Sequence, residues 1–235
     1  MKTTVQFAKL ALLAALVLTL ALPPSLALAR DEPLPAAAPA TIQLLPPALE
    51  SGASLMRAIE RRRSSREFDR APLSLQALSD VLWVAGGYNR PESKGLVIPT
   101  AMGSKELDVY ALLPEGIYRY EPGAHRLALV TAGDHRAQAG QQPFVAEAPL
   151  NLFFVADEAR MRARDAEARQ VLGAMTAAYA SENVYLYCAA AGLVTVARGS
   201  FDAKALARLL ALAPGQKLYL GQSVGRPKAK ARAQE

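Results

Sequence analysis

Arg61-Arg62-Arg63-Ser64-Ser65-Arg66-Glu67-Phe68 is the stretch on which the reading of this chain turns. Before it, from Ser51 onward, Leu55, Ile59 and Arg62-Arg63 recur at helical spacing, and the Ser-Ser pair ends the run. Guanidinium groups and a hydroxyl converging where a helix ends suit a phosphate, because each guanidinium offers a planar fork of donors. A solvated basic helix end, favoured by the helix dipole, is the competing reading of the same residues.

Downstream, Ser74 is placed as an N-cap, and Leu75, Leu78, Val81, Leu82 and Val84-Ala85 mark a second amphipathic helix stopped by Gly86-Gly87. The pattern then changes to strands over 108–113, 116–120 and 126–131, with turns at Pro114-Glu115-Gly116 and Glu121-Pro122-Gly123. A short helix over 134–139 precedes Leu150–Val155, apolar except for Asn151, as in a strand buried on both faces. An Ala-dense helix over 168–191 is closed by Gly192. A strand over 193–197, a capped helix over 202–212 and a strand over 217–224 complete the series. Helices and strands mix throughout, which predicts an α+β or α/β class around a central sheet. Upstream, residues 30–50 read as a Pro/Ala-rich arm with little to bury, and residues 51–230 as one folded domain.

The first 29 residues have the form of a secretory signal peptide. Lys2 and Lys9 precede an apolar run from Leu10 to Leu22, Pro23-Pro24 breaks it, and Ala27-Leu28-Ala29 supplies a small-residue cleavage pattern. An uncleaved anchor is the alternative, although the run is shorter than the roughly 20 residues a spanning helix needs. No Arg-Arg pair precedes the run, so the twin-arginine export route is not signalled. Cleavage removes two lysines and no acid, taking the formal charge from +6 to +4. These features predict a periplasmic or secreted protein, with no membrane association after signal cleavage. The basic residues are spread without interleaved aromatics, so nucleic acid is not an expected partner. One cysteine, Cys188, and two histidines, His125 and His135, leave little material for a disulfide, a zinc site or a Ser-His-Asp triad. Asp80, Asp108 and Asp134 read as solvated caps rather than acids, and Tyr179, Tyr185 and Tyr187 as packing residues.

Seven segments in order resemble the nitroreductase family of flavoproteins. They are Arg62-Arg63-Ser64-x-Arg66-x-Phe68, Trp83-x-Ala85-Gly86-Gly87 and Pro99-Thr100-Ala101. Then come Val109-Tyr110 through Pro122 with His125 and Leu127, and Ala189-Ala190-Ala191-Gly192-Leu193. Arg198-Gly199-Ser200-Phe201-Asp202 and Leu220-Gly221 through Gly225-Arg226-Pro227 end the series. The fourth segment resembles the subgroup of SagB-type and thiazoline-oxidase dehydrogenases. No Gly-x-Gly-x-x-Gly follows a strand, which disfavours a Rossmann fold.

The resemblance implies a three-layer α+β fold, with a mixed, mainly antiparallel sheet flanked by helices and a long central helix at a homodimer interface. It implies FMN, with a small-molecule electron donor and acceptor (a nitro compound, a quinone or similar) exchanging hydride through flavin N5. Carried over by position, Arg62, Arg63 and Ser64 hold the FMN phosphate and ribityl chain, and Arg66 sits near the pyrimidine edge. Thr100 and Ala101 touch the ring or ribityl. Backbone N–H groups of Arg198 and Gly199 face N5 and O4, and Lys228 and Lys230 reach the phosphate. No side chain is assigned as a catalytic acid or base, because the flavin carries the chemistry. Two alternatives remain: a flavin- or ligand-binding protein without catalysis, and an azoline-peptide dehydrogenase, whose relatives usually work in the cytoplasm. The leader also conflicts with the family's usual nicotinamide donor, which is not expected in quantity outside the cytoplasm.

Overall fold

In the computed structural model, which describes residues 38–163 and 165–229, a seven-stranded sheet separates two helical layers. The signal-peptide reading and Lys230 lie outside the described residues. The strands are β1 (Thr41–Gln43), β4 (Leu107–Leu113), β5 (Gly116–Glu121), β6 (Arg126–Ala132), β7 (Leu150–Asp157), β8 (Val194–Arg198) and β9 (Gln216–Gly225). Their order is β1-β6-β5-β4-β7-β9-β8, and the strand pairs are antiparallel. The parallel component expected of the sheet is confined to an isolated bridge between Ser64 and Thr195 at the β8 edge.

Side-chain alternation on β4 and β7 explains the three layers. Val109, Ala111, Leu113, Leu150, Leu152 and Phe154 face one cluster, while Tyr110, Leu112, Phe153 and Val155 face another. Both faces are apolar, so both must be covered. On the first face lie α2 (Leu75–Gly86) and α4 (Ala166–Ala191), contributing Leu78, Val81, Leu82, Ala177, Ala180 and Val184. Beside them runs α1 (Leu55–Arg61), and the second face is covered partly by α3 (Phe144–Glu147) and α5 (Ala203–Leu209).

Helix ends follow local chemistry. Ser74 caps α2 by accepting from the Ala77 N–H, Asp165 caps α4 from the Ala168 N–H, and Asp202 caps α5. Gly192 ends α4 with φ 72°, a left-handed conformation that glycine adopts without a Cβ penalty. The expected helix over 202–212 is shorter, because Leu210 leaves the helix and Ala211 turns to φ 50°. The segment expected to be helical over 134–139 contains only a 3-10 turn, Arg136–Ala139.

Two features depart from the sequence reading. Part of the Pro/Ala-rich arm is structured: β1 pairs with β6, and Ile42 and Leu44 are buried in the main core. A ribbon of β2 (Tyr88–Arg90) and β3 (Gly95–Leu96) follows α2 where no strands were expected.

Candidate functional site

The basic stretch is held along the exposed edge of the sheet. The last turn of α1 closes when the Arg62 N–H donates to Ala58 O at 2.9 Å, and Arg62 itself leaves helical geometry (φ −54°, ψ 124°). The chain then runs beside β8, where Ser65 N–H donates to Thr195 O at 2.9 Å. Phe68 is buried against Ala148 and Val196 and bridges to Pro227, and Asp69 N–H donates to Arg226 O at 2.9 Å. The apolar anchor at Phe68 therefore fixes the polar residues before it and brings Lys228, just past β9, to the same edge.

A cleft of about 520 Å³ lies here, walled by Arg62, Arg63, Tyr185, Gly192, Thr195 and Pro227 among others. Tyr185, nearly buried, forms part of the wall. The phenol oxygen is 2.8 Å from Ser64 Oγ and accepts from Ala197 N–H at 2.8 Å. The Arg62 guanidinium lies over the ring, 5.4 Å from its centroid. Flanking cations are neutralised, with Arg57 paired to Glu60 and Arg70 to Glu147. Among the described residues, Arg61, Arg62, Arg63, Arg66 and Lys228 form no salt bridge. The forked donors of Arg61, Arg62 and Arg63, beside Glu60 on the same wall, fit a phosphate-bearing ligand, while Lys228 stands off the cleft wall near Glu147, whose pKa it helps to lower.

Not every residue proposed from sequence meets there. Arg66 is exposed two residues beyond Ser64, outside the cleft wall. Gly199 is exposed just beyond β8, with no atom within 4 Å of where a Cβ would stand. The Arg198 side chain turns into the protein. Its guanidinium donates to Ala139 O, to Asn151 Oδ1 at 2.9 Å and to Ser223 Oγ at 3.3 Å, beneath the Phe153 ring. Burial lowers its pKa to about 10. Gly221 makes this placement possible, since a Cβ there would come within 2.9 Å of Arg198 Nη1.

Thr100 and Ala101 stand elsewhere in the chain. They lead through Ser104 and Glu106 into β4, whose first residue, Leu107, pairs with Ala156 of β7. Thr195 instead aligns with Val224 and, through it, with Leu150. Six strand residues separate those rows, about 20 Å at ~3.3 Å per residue. One chain alone does not bring Thr100 and Ala101 to the basic cleft.

Contacts also resolve Asp80 and Asp108, both expected as solvated caps, and place Asn183. Asp80 is buried rather than solvated, accepting from Ala48 N–H, Gln76 and the Tyr187 hydroxyl. Asn183 donates to Val84 O at 3.1 Å, an internal hydrogen bond. Asp108 pairs with Arg160, yet desolvation raises its pKa overall. Tyr185 was read as packing, and its place in the cleft was missed. A weak signal existed, since Tyr185, Cys188 and Gly192 recur at i, i+3 and i+7 on one helix face.

A long helix on a seven-stranded antiparallel sheet, with a cleft at the sheet edge walled by Arg61, Arg62 and Arg63, defines this α+β domain. The chain belongs to the nitroreductase family, whose model matches residues 59–226. It is 30% identical over 152 residues to a nitroreductase-like protein of Methanocaldococcus jannaschii (MJ1384), covering 60% of this chain and 76% of that one. A nitroreductase-like crystal structure from Ralstonia eutropha is 40% identical with a TM-score of 0.78, covering 85% of this chain and 95% of that chain. A nitroreductase-like protein from Desulfovibrio desulfuricans, solved in complex with FMN, shares the fold at 18% identity and a TM-score of 0.55, with 78% and 94% covered.

Proposed function

We propose that the protein is an FMN-dependent oxidoreductase, exported through its N-terminal leader and active as a homodimer. The observation that carries the reading is the run Arg61-Arg62-Arg63 on the wall of the cleft at the α4–β8 edge, with Ser64 next to it joined to the cleft residue Tyr185. Arg62, Arg63 and Ser64 would hold the phosphate and ribityl chain, with Lys228 and Lys230 approaching from the C-terminal side. Arg66 would face the pyrimidine edge, where reduced flavin gathers negative charge, and the backbone at Arg198 and Gly199 would meet the ring. When bound, FMN supplies the hydride-accepting and hydride-donating chemistry. The chain's part is to bind, orient and tune it.

Two observations favour the dimer. Val171, Met175 and Tyr179 form an exposed apolar stripe on α4, and Leu55, Met56 and Ile59 are exposed on α1. A second copy covering these surfaces would also offer its Thr100 and Ala101 to a cleft whose wall includes neither residue of its own chain. Outside the cytoplasm the electron donor would be something other than the nicotinamide pool. The acceptor would be a small organic molecule such as a quinone or nitroaromatic.

The test is to purify the mature chain, reconstitute it with FMN, and record its visible spectrum and sedimentation. A bound flavin on a dimer is expected. A Met175→Lys variant should sediment as a monomer and hold FMN more weakly. Assays with a nitroaromatic, a quinone and an azoline peptide then sort the acceptors, and turnover of the peptide alone would reassign the substrate class.

A further inference from the structure

Resting on the FMN reading above, we propose that Tyr185 is a positioning residue: it is the middle link of a hydrogen-bond relay that turns the Ser64 hydroxyl proton toward the cofactor phosphate.

Direction follows from counting donors. The Ala197 N–H can only donate, so the Tyr185 oxygen accepts from it at 2.8 Å. Tyr185 has one proton left, and the only other oxygen bonded to it among the described residues is Ser64 Oγ at 2.8 Å. Were Ser64 the donor in that bond, the phenol proton would have no acceptor, although Tyr185 is only 9% exposed. Buried unmatched donors are disfavoured, so Tyr185 donates to Ser64. Ser64 is exposed, and its own proton is then free to point outward, next in the chain to Arg62 and Arg63 on the cleft wall. The chain runs Ala197 N–H to Tyr185 O–H to Ser64 O–H, each bond polarising the next.

The relay links features otherwise unrelated in sequence. Ala197 lies on β8, the last strand of the sheet, so its N–H is available to a side chain rather than to a further strand. Tyr185 spans from α4 to that edge. Its ring also carries the Arg62 guanidinium on one face, so one side chain orients a hydroxyl and a cation for the same ligand. Because the ring and the hydroxyl do separate tasks, Tyr185→Phe removes the relay while leaving the platform under Arg62.

The experiment compares FMN with riboflavin, which lacks the phosphate. Binding to flavin-stripped protein is followed by quenching of flavin fluorescence, for the wild type, Tyr185→Phe, Ser64→Ala and the double variant. The relay predicts about tenfold weaker FMN binding in Tyr185→Phe, the size of one lost hydrogen bond to a charged group, with riboflavin affinity unchanged. The Ser64→Ala loss should be similar, and the double variant no weaker than the weaker single. Unchanged riboflavin binding also shows that the variant site is folded. Equal losses for both flavins, additive losses in the double variant, or unaltered FMN affinity in Tyr185→Phe would each overturn the relay. A wild type that binds neither flavin would overturn the FMN reading itself, a result distinguishable from any of these.

Discussion

Arginine serves two purposes on either side of one strand. On the inner side of β8, Arg198 is buried and its guanidinium is met by three fixed oxygens, from Ala139, Asn151 and Ser223. Along the outer edge, Arg61, Arg62, Arg63 and Arg66 are exposed and, among the described residues, meet no carboxylate. A buried cation must be solvated by the protein, so Arg198 contributes to folding and its geometry is closed. An exposed cluster of like charges gains nothing from its own crowding and leaves its donors for a ligand. The same residue type is structural in one place and ligand-directed in the other, and hydrogen-bond partners separate the two.

Breaking the comparison starts with the buried side. Arg198→Met leaves Ala139 O without its donor and removes two further bonds, and is expected to cost about 2–4 kcal/mol in urea unfolding. A loss below about 1 kcal/mol would mean that the network is not structural. On the outer edge, Arg62→Ala should change unfolding by no more than about 0.5 kcal/mol without flavin, while weakening FMN binding roughly 10- to 100-fold. Loss of stability without loss of affinity would reverse the assignment. The smallest effect belongs to a pair outside both regions. The hydrogen bond from Arg136 holds the Asp134 carboxyl below its ordinary value of 3.8. A depressed carboxylate adds stability above its unfolded pKa and loses it as pH falls through the folded value. Asp134→Asn should therefore cost a few tenths of a kcal/mol near neutral pH, because the pair is solvent-exposed, and nothing in strong acid. A difference that persists in acid would mean that the pair is not what Asp134 contributes.

The sheet and the long helix were legible because their signals are local. The apolar run of β7, capping residues at Ser74 and Asp202, and Gly192 each act within a few positions. β1 and the β2–β3 ribbon were not legible. They are two or three residues long, too short for a periodicity to show, and β1 finds its partner in β6, more than 80 residues on. The site divided the same way. Arg62 and Arg63 fall on the cleft wall from a contiguous motif that ends at Ser64, hydrogen-bonded to Tyr185, whereas Tyr185 acquires its place only when α4 packs beside β8. The inward turn of Arg198 depends on four separate segments and on the absent side chain at Gly221, which composition does not reveal.

The central claim is that the unpaired cations beside Ser64 exist to hold FMN, and one titration tests it most directly. Flavin-stripped mature protein is titrated with FMN, in parallel with an Arg62→Ala, Ser64→Ala double variant of matched stability. Saturable binding of one FMN per chain that collapses in the double variant is the predicted result. Binding of equal strength in both proteins, or none to the wild type, would contradict the account.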